Sequence, residues 1–323
     1  MPAPRRIRRK RLIAGAIVAL ALAPGTFVRT PSPTFEADRI GIAIAADVPD
    51  IAELDGFMRE GVWQLSSPDM QFGGFSALVP DGETGLIAYS DRGIAMHFAK
   101  PNAPEAGNAR LRPLGDRGAL NRTLPDVESA TRVGASGEIW LGFEAGNAVI
   151  RYDADGEQEA SRRPPEWSDW PGNSGPEAMA RLPDGRFIVL PERSPVGVLH
   201  PGDPTDEGEA RTFRFSMPGD YVATDMAALP DGRVLVLMRH LTLAFPPFAT
   251  ALGIADPRVI DAADTLEIDL LLDLVQLVPR ENYEGLAVEP GKDGVMTVWI
   301  IADDNIASFQ RTLLIRLRWE QET

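Results

Sequence analysis

A chain of 323 residues with 47 acidic against 32 basic side chains has a formal net charge of −15; phosphate binding needs a basic face, so this balance argues against nucleic acid as a partner and for a cation. The absence of cysteine removes disulfides, thiolate nucleophiles and thiolate-ligated zinc, and the three histidines, no two at a helical ligand spacing, do not suit a three-histidine zinc site. Hard oxygen donors are plentiful, which favours calcium or magnesium if a metal binds.

The chain opens on a basic stretch from Arg5 to Arg11, followed by an apolar run from Leu12 to Val28 rich in Ala, Leu and Ile. That order is the n-region and h-region of an export signal, and Ala19-Leu20-Ala21 offers small residues for cleavage. Residues 1–28 are therefore expected to be a signal peptide or an N-terminal membrane anchor. Basic residues on that flank stay cytoplasmic, so the body is expected in the periplasm or outside the cell, tethered to the inner membrane only if the segment is uncleaved. Residues 29–38, rich in Pro, Thr and Ser, read as a linker, and residues 39–323 as one domain.

Ile40-Gly41-Ile42-Ala43-Ile44 reads as the first strand. From there one unit returns five times. Its opening residues are Ser76, Glu128, Glu177, Asp225 and Glu284, spaced 48 to 59 positions apart. Each opens a short apolar strand, as in Glu177-Ala178-Met179-Ala180-Arg181-Leu182. A tight turn follows, Pro183-Asp184-Gly185 or Pro230-Asp231-Gly232, then a second apolar strand that ends on Asp91, Glu144, Glu192, Arg239 or Asp303. Asp-Gly between apolar runs is a strong hairpin signal because glycine tolerates positive φ.

Units of this length, with several strands and no sustained helical spacing, predict an all-β propeller. A ~50-residue unit divides the chain after the leader into about six blades. The sixth is expected from residues 39–72 joined with the C-terminus, where Thr312–Trp319 is strand-like and can close the ring against the N-terminal strand. Asp261–Leu277, rich in leucine, is the one segment read as helix; an inserted excursion or a β-pair is the alternative. Trp167 and Trp170 are the candidates for a ligand rim, the other tryptophans for core or loop packing.

An antiparallel hairpin sets the start of its first strand beside the end of its second. Ser76 with Asp91, Glu128 with Glu144, Glu177 with Glu192, Asp225 with Arg239 and Glu284 with Asp303 should thus pair at the end opposite each turn. Repetition around a ring gathers these pairs at one mouth of the channel. Crowded carboxylates demand counter-charge. Arg92, Arg193, Arg239 and Arg311 stand beside them, and a bound cation is the other source. No Gly-x-Ser-x-Gly elbow and no phosphate-cradling glycine loop are present in the sequence.

Three segments also carry a family likeness. Phe72-Gly73-Gly74-Phe75-Ser76 with Ser90-Asp91-Arg92-Gly93, then Asn173-Ser174-Gly175-Pro176-Glu177-Ala178, then Asn282-Tyr283-Glu284-Gly285-Leu286-Ala287 with Ala302-Asp303-Asp304-Asn305 and Gln310-Arg311-Thr312-Leu313-Leu314 lie in order along the chain. Together they resemble the phytase-like domain family, exported bacterial proteins described by an esterase-like activity of phytase. The resemblance implies a β-propeller, export, and an ester or phosphoester hydrolase activity with calcium.

The resulting expectation is a divalent-metal-dependent ester or phosphoester hydrolase acting on a small anionic or ester substrate as a monomer. Glu128, Glu177, Glu284 and Asp304 are the expected ligands of a calcium or other divalent ion. Asp91, Glu144, Glu192 or Asp303 would orient water as general base, and Arg92 and Arg239 would hold the anionic group. The alternatives are a propeller that binds a ligand or protein without catalysis, and a propeller lactonase.

Overall fold

The computed structural model describes residues 39–114, 126–134, 136–171, 174–307 and 309–321. The expected signal or anchor, the linker at 29–38 and Asn173 lie outside the described residues. Among the described residues, no helix is long and apolar enough to cross a membrane.

Three strands come first: β1 (Gly41–Ile44), β2 (Glu53–Leu54) and β3 (Phe57–Ser66). Four sheets then follow in chain order. The first holds β4 (Phe75–Asp81), β5 (Gly85–Ser90), β6 (Ile94–Ala99) and β7 (Ala109–Pro113). The second holds β8 (Val127–Arg132), β9 (Ile139–Phe143), β10 (Ala148–Tyr152) and β11 (Gln158–Arg162). The third holds β12 (Ala178–Arg181), β13 (Phe187–Leu190), β14 (Val196–His200) and β15 (Arg211–Ser216), with β19 (Thr265–Glu267) added at its edge. The fourth holds β16 (Val222–Ala228), β17 (Val234–Leu241), β18 (Phe248–Ala255) and β20 (Asp269–Asp273). The last sheet joins β21 (Asn282–Pro290), β22 (Val295–Asp303) and β23 (Leu313–Glu320) to β3 and β1. Inner strands β4, β8, β12, β16 and β21 touch in that order, and β21 returns to β4, so the ring closes as a propeller of five blades.

The blade count differs from the expected six for one reason. β23 lies between β22 and β3, with Leu313 opposite Gln64 and Trp319 opposite Phe57. Residues 39–66 and the C-terminal strand therefore complete the fifth blade instead of building a sixth. The expected closure between first and last strands is present, and it covers sheet edges that would otherwise be bare.

The helix expected over Asp261–Leu277 is also corrected. Only Ile260–Ala263 is α-helical, ended by a left-handed Asp264, and Leu274–Gln276 forms a single 3-10 turn. Of the leucines that suggested a helix, Leu266 in β19 and Leu272 in β20 are buried, while Leu270 in β20 is exposed. β15 and β18 present unpaired edges, and the segment satisfies one with β19, in parallel, and the other with β20.

The core lies between blades. Among the described residues five apolar clusters occur, and each joins one blade to the next. Neighbouring residues of a strand serve opposite sides. In β13, Ile188 and Leu190 pack toward the fourth blade, while Phe187 and Val189 pack toward the second. In β17, Leu235 and Leu237 face the fifth blade, and Val234, Val236 and Met238 the third. Strands covered on both faces must be apolar throughout, which is why these read as unbroken runs. In β13, and in β17 as far as Met238, no charged side chain interrupts the run, and Glu192 and Arg239 follow only where it ends. The Asp-Gly turns form as expected: Gly185 and Gly232 sit at φ 92° and 91°, and Asp184 and Asp231 accept the backbone N–H of Arg186 and Arg233.

Candidate functional site

The site is built by β-bulges. In the first blade Phe75 faces Ser90 and Ala77 faces Tyr89, so Ser76 is left without a partner in the ladder. Glu128 is skipped in the same way in the second blade, Thr224 in the fourth and Glu284 in the fifth. Glu177 stands just ahead of β12 at the corresponding place in the third. A bulge re-aims the side chain of the extra residue. The neighbouring strand supplies a second ring: Asp91, Glu144, Glu192, Arg239 and Asp303. Arg239 faces Val222 just as Asp303 faces Asn282, so in the fourth blade a guanidinium replaces the carboxylate.

This register corrects the expected pairing of Asp225 with Arg239. Thr224, not Asp225, occupies the bulge, and a shift of one residue sends a strand side chain to the other face. Asp225 is fully buried, where its carboxylate accepts the N–H groups of Met226 at 2.8 Å and of Leu286 at 2.7 Å. It ties the fourth blade to the fifth. Gly285 holds the matching position in the fifth blade, where a Cβ would come within 2.9 Å of the Ala77 backbone.

Both rings open on one cavity of about 340 Å³. Asp91, Asp126, Glu128, Glu144, Glu177, Glu192, Glu284 and Asp303 line it, with Arg193 and Arg239 as the only cations among the lining residues. Eight carboxylates against two guanidiniums cannot all be ionised cheaply. Burial pushes Asp91 up to about 6 against the pull of Arg92. Burial, reinforced by Asp126, pushes Glu144 up to about 7. Asp303 rises to about 8, from burial and then the charge of Glu284. Glu128 and Glu177 rise well above the usual range, each from burial first and its carboxylate neighbours second. Glu284 is raised by burial too, although Arg239 and Asn282 work against the rise.

Arg239 is the hub of the counter-charge. Its Nη1 donates to Glu284 at 2.6 Å and to Asn282, and its Nη2 lies 3.5 Å from Glu192. The guanidinium rests over the Phe248 ring, 5.8 Å from its centre. Arg193, more exposed, pairs with the other oxygen of Glu192 at 2.8 Å.

Of the residues expected at the site, Asp91, Glu128, Glu144, Glu177, Glu192, Arg239, Glu284 and Asp303 line this cavity. Arg92 and Asp304 do not. The Arg92 guanidinium donates to the carbonyls of Met70, Gln71, Phe72 and Gly73 and holds the loop before β4. Asp304 accepts from the backbone N–H groups of Gly74 and Ile306 and from the Thr312 hydroxyl. Arg311 pairs with Glu281 and Asp47. Trp167 and Trp170, expected at a rim, are buried and stacked at 5.3 Å between the second and third blades. Asp126 was missing from the expected set. It stands opposite Glu144 with φ 116°, and its carboxylate, with those of Glu128 and Glu144, offers oxygens within 4.8 Å of one another. The available signal was its place two residues before Glu128, equivalent to Asn282 before Glu284.

Among solved structures, the chain resembles a luciferin-regenerating enzyme at 10% identity and a TM-score of 0.44, covering 79% of this chain and 83% of that one. It resembles the calcium-binding protein regucalcin from Agrobacterium tumefaciens at 12% identity and a TM-score of 0.44, covering 80% of each chain. U3-55K follows at 8% identity and a TM-score of 0.43, covering 87% of this chain and 99% of that one. Likenesses this distant say nothing about chemistry. No curated protein matches the chain. A family model does match, over residues 70–306, and that span takes in the segments carrying both rings of site residues. The chain belongs to the phytase-like family, described by the esterase-like activity of phytase.

Proposed function

We propose that this chain is an exported hydrolase of ester or phosphoester bonds whose acidic cavity works with a bound divalent cation, calcium or magnesium. The observation that carries the reading is the convergence of eight carboxylates with two guanidiniums in one cavity. Protons or a cation must make up the difference. The residues suit a cation. The donors are hard oxygens, three carboxylates lie close enough to share one ion, and Asp91 Oδ1 is buried without a hydrogen-bond partner.

Asp126, Glu128 and Glu144 would hold the ion, with Glu177 and Glu284 completing its surroundings. When bound, the ion supplies Lewis-acid activation of water and of the bond to be cleaved. Asp91, titrating at about 6, is ionised at neutral pH and basic enough to take a proton from water. Asp303, which burial and the neighbouring Glu284 bias toward its protonated form, can give one to a leaving oxygen. Arg239 and Arg193 take the anionic part of the substrate, the role expected of Arg92, whose donors are committed to the loop. The basic-then-apolar N-terminal segment supports export.

The test is thermal unfolding with EDTA and with calcium or magnesium, beside hydrolysis of p-nitrophenyl phosphate, p-nitrophenyl acetate and a simple lactone. A cation that binds only the folded state must raise the melting temperature. Glu128→Gln should remove that rise and the turnover together. Indifference of the melting temperature to both ions would refute the metal reading.

A further inference from the structure

The candidate site has an apolar lip on one side. β17 continues past Arg239 to Leu241, and Leu241 pairs with Phe248 across a hairpin whose tip is 242–247. Along this hairpin Leu241 is 73% exposed, Leu243 fully exposed and Phe245 76% exposed. A second loop leaves the cavity through Asn305, and carries Ile306 and Phe309, each 55% exposed. The two loops touch: the Phe245 and Phe309 rings lie 6.2 Å apart, so the lip bridges the fourth and fifth blades.

Five large apolar side chains exposed to water on two touching loops cost free energy unless something covers them. Here apolar side chains follow, within a few residues, two positions that line the acidic cavity. The Arg239 guanidinium rests on Phe248, where the hairpin begins, so the apolar surface adjoins the cavity's principal cation.

We infer that the substrate is amphipathic: its scissile ester or phosphoester group enters the acidic cavity, and an acyl or aryl group lies along Leu241, Leu243, Phe245, Ile306 and Phe309. This rests on the hydrolase reading above and names its substrate class. An open lip covers one side of a chain, so each added methylene should gain about twofold in affinity. That is half of the roughly fourfold expected from full burial.

Two assays separate this inference from the reading beneath it. The first measures KM for p-nitrophenyl esters from acetate to octanoate. KM should fall about twofold per methylene, with kcat little changed. The double variant Leu243→Ser, Phe245→Ser should flatten the series and leave the acetate value alone; both side chains are exposed, so folding is preserved. The second measures binding of methylphosphonate and octylphosphonate by calorimetry in calcium buffer. Octylphosphonate should bind tighter to the wild type and lose that advantage in the variant. If no ester is cleaved but the phosphonates still differ, the lip stands and the hydrolase reading fails. If esters are cleaved with one KM throughout and the phosphonates bind alike, the lip fails and the hydrolase stands. Sedimentation and vesicle flotation close the remaining cases. A wild-type dimer, or binding to phosphatidylcholine vesicles, that the variant abolishes would make the patch an interface or a membrane seat and overturn the inference.

Discussion

Asp303 should make the cation-free protein lose stability as pH rises. Its carboxyl titrates at about 8 in the fold against an ordinary 3.8, because it is buried beside Glu284. Between those values the folded chain keeps a proton that the unfolded chain has released. Folding then binds protons, so stability is lost as pH climbs through the window and levels off above about pH 8. Each power of ten in proton affinity is worth about 1.4 kcal/mol, so the ceiling is on the order of 6 kcal/mol. Part of that is relieved because Glu284 shares the proton, which leaves about 2 kcal/mol as the expected size. Asp303→Asn removes the ionisation and keeps an oxygen for the Asn305 N–H, accepted now at 2.7 Å. In urea melts with EDTA, the variant should match the wild type near pH 4 and exceed it by about 2 kcal/mol near pH 9. With saturating calcium the difference should shrink, since the ion neutralises the same charges. A wild-type stability that stays flat or rises from pH 5 to 8 in EDTA, or a variant with the same slope, would refute the reasoning.

Arg239→Met should strip Glu284 and Glu192 of their shared partner and cost about 3 kcal/mol at pH 8, as breaking a largely buried ion pair does. The loss should be smaller at pH 5, where Glu284 can take up a proton; melts at both values decide it. Asp225→Asn should cost about 2 kcal/mol, because an amide cannot accept from both the Met226 and Leu286 N–H groups. Calcium affinity should be unmoved by that change, which calorimetry can check, since Asp225 does not line the cavity.

The hairpins were legible in the sequence because each level of structure repeats the same instruction: apolar run, Asp-Gly turn, apolar run, charge. Pairing the ends of those hairpins brought eight of the ten expected site residues to one cavity. What stayed hidden was register. Asp225 looks like a member of the acidic ring by sequence spacing, and only the bulge at Thr224 turns it into the joint between blades. A bulge is decided by how two strands meet, which one strand alone does not state. Arg92 and Asp304 failed to reach the cavity for a related reason: loops with several free backbone groups claimed them first. The leucines of 261–277 misled because apolar density looks alike in a helix and in a strand buried on both faces.

The fifth blade ties the two ends of the folded chain into one sheet, and this orders events in time. β3 is made early, yet on its β23 side it has no partner until a strand some 250 positions later is available. Four blades can form as the chain lengthens, while the seam waits for the last strand. Without β23, β22 and β3 would each keep a bare edge, and the two ends of the fold would have no strand between them. Glu284 and Asp303 of the acidic cavity stand on β21 and β22, so the same sheet that joins the two ends of the fold also carries two of the site's carboxylates.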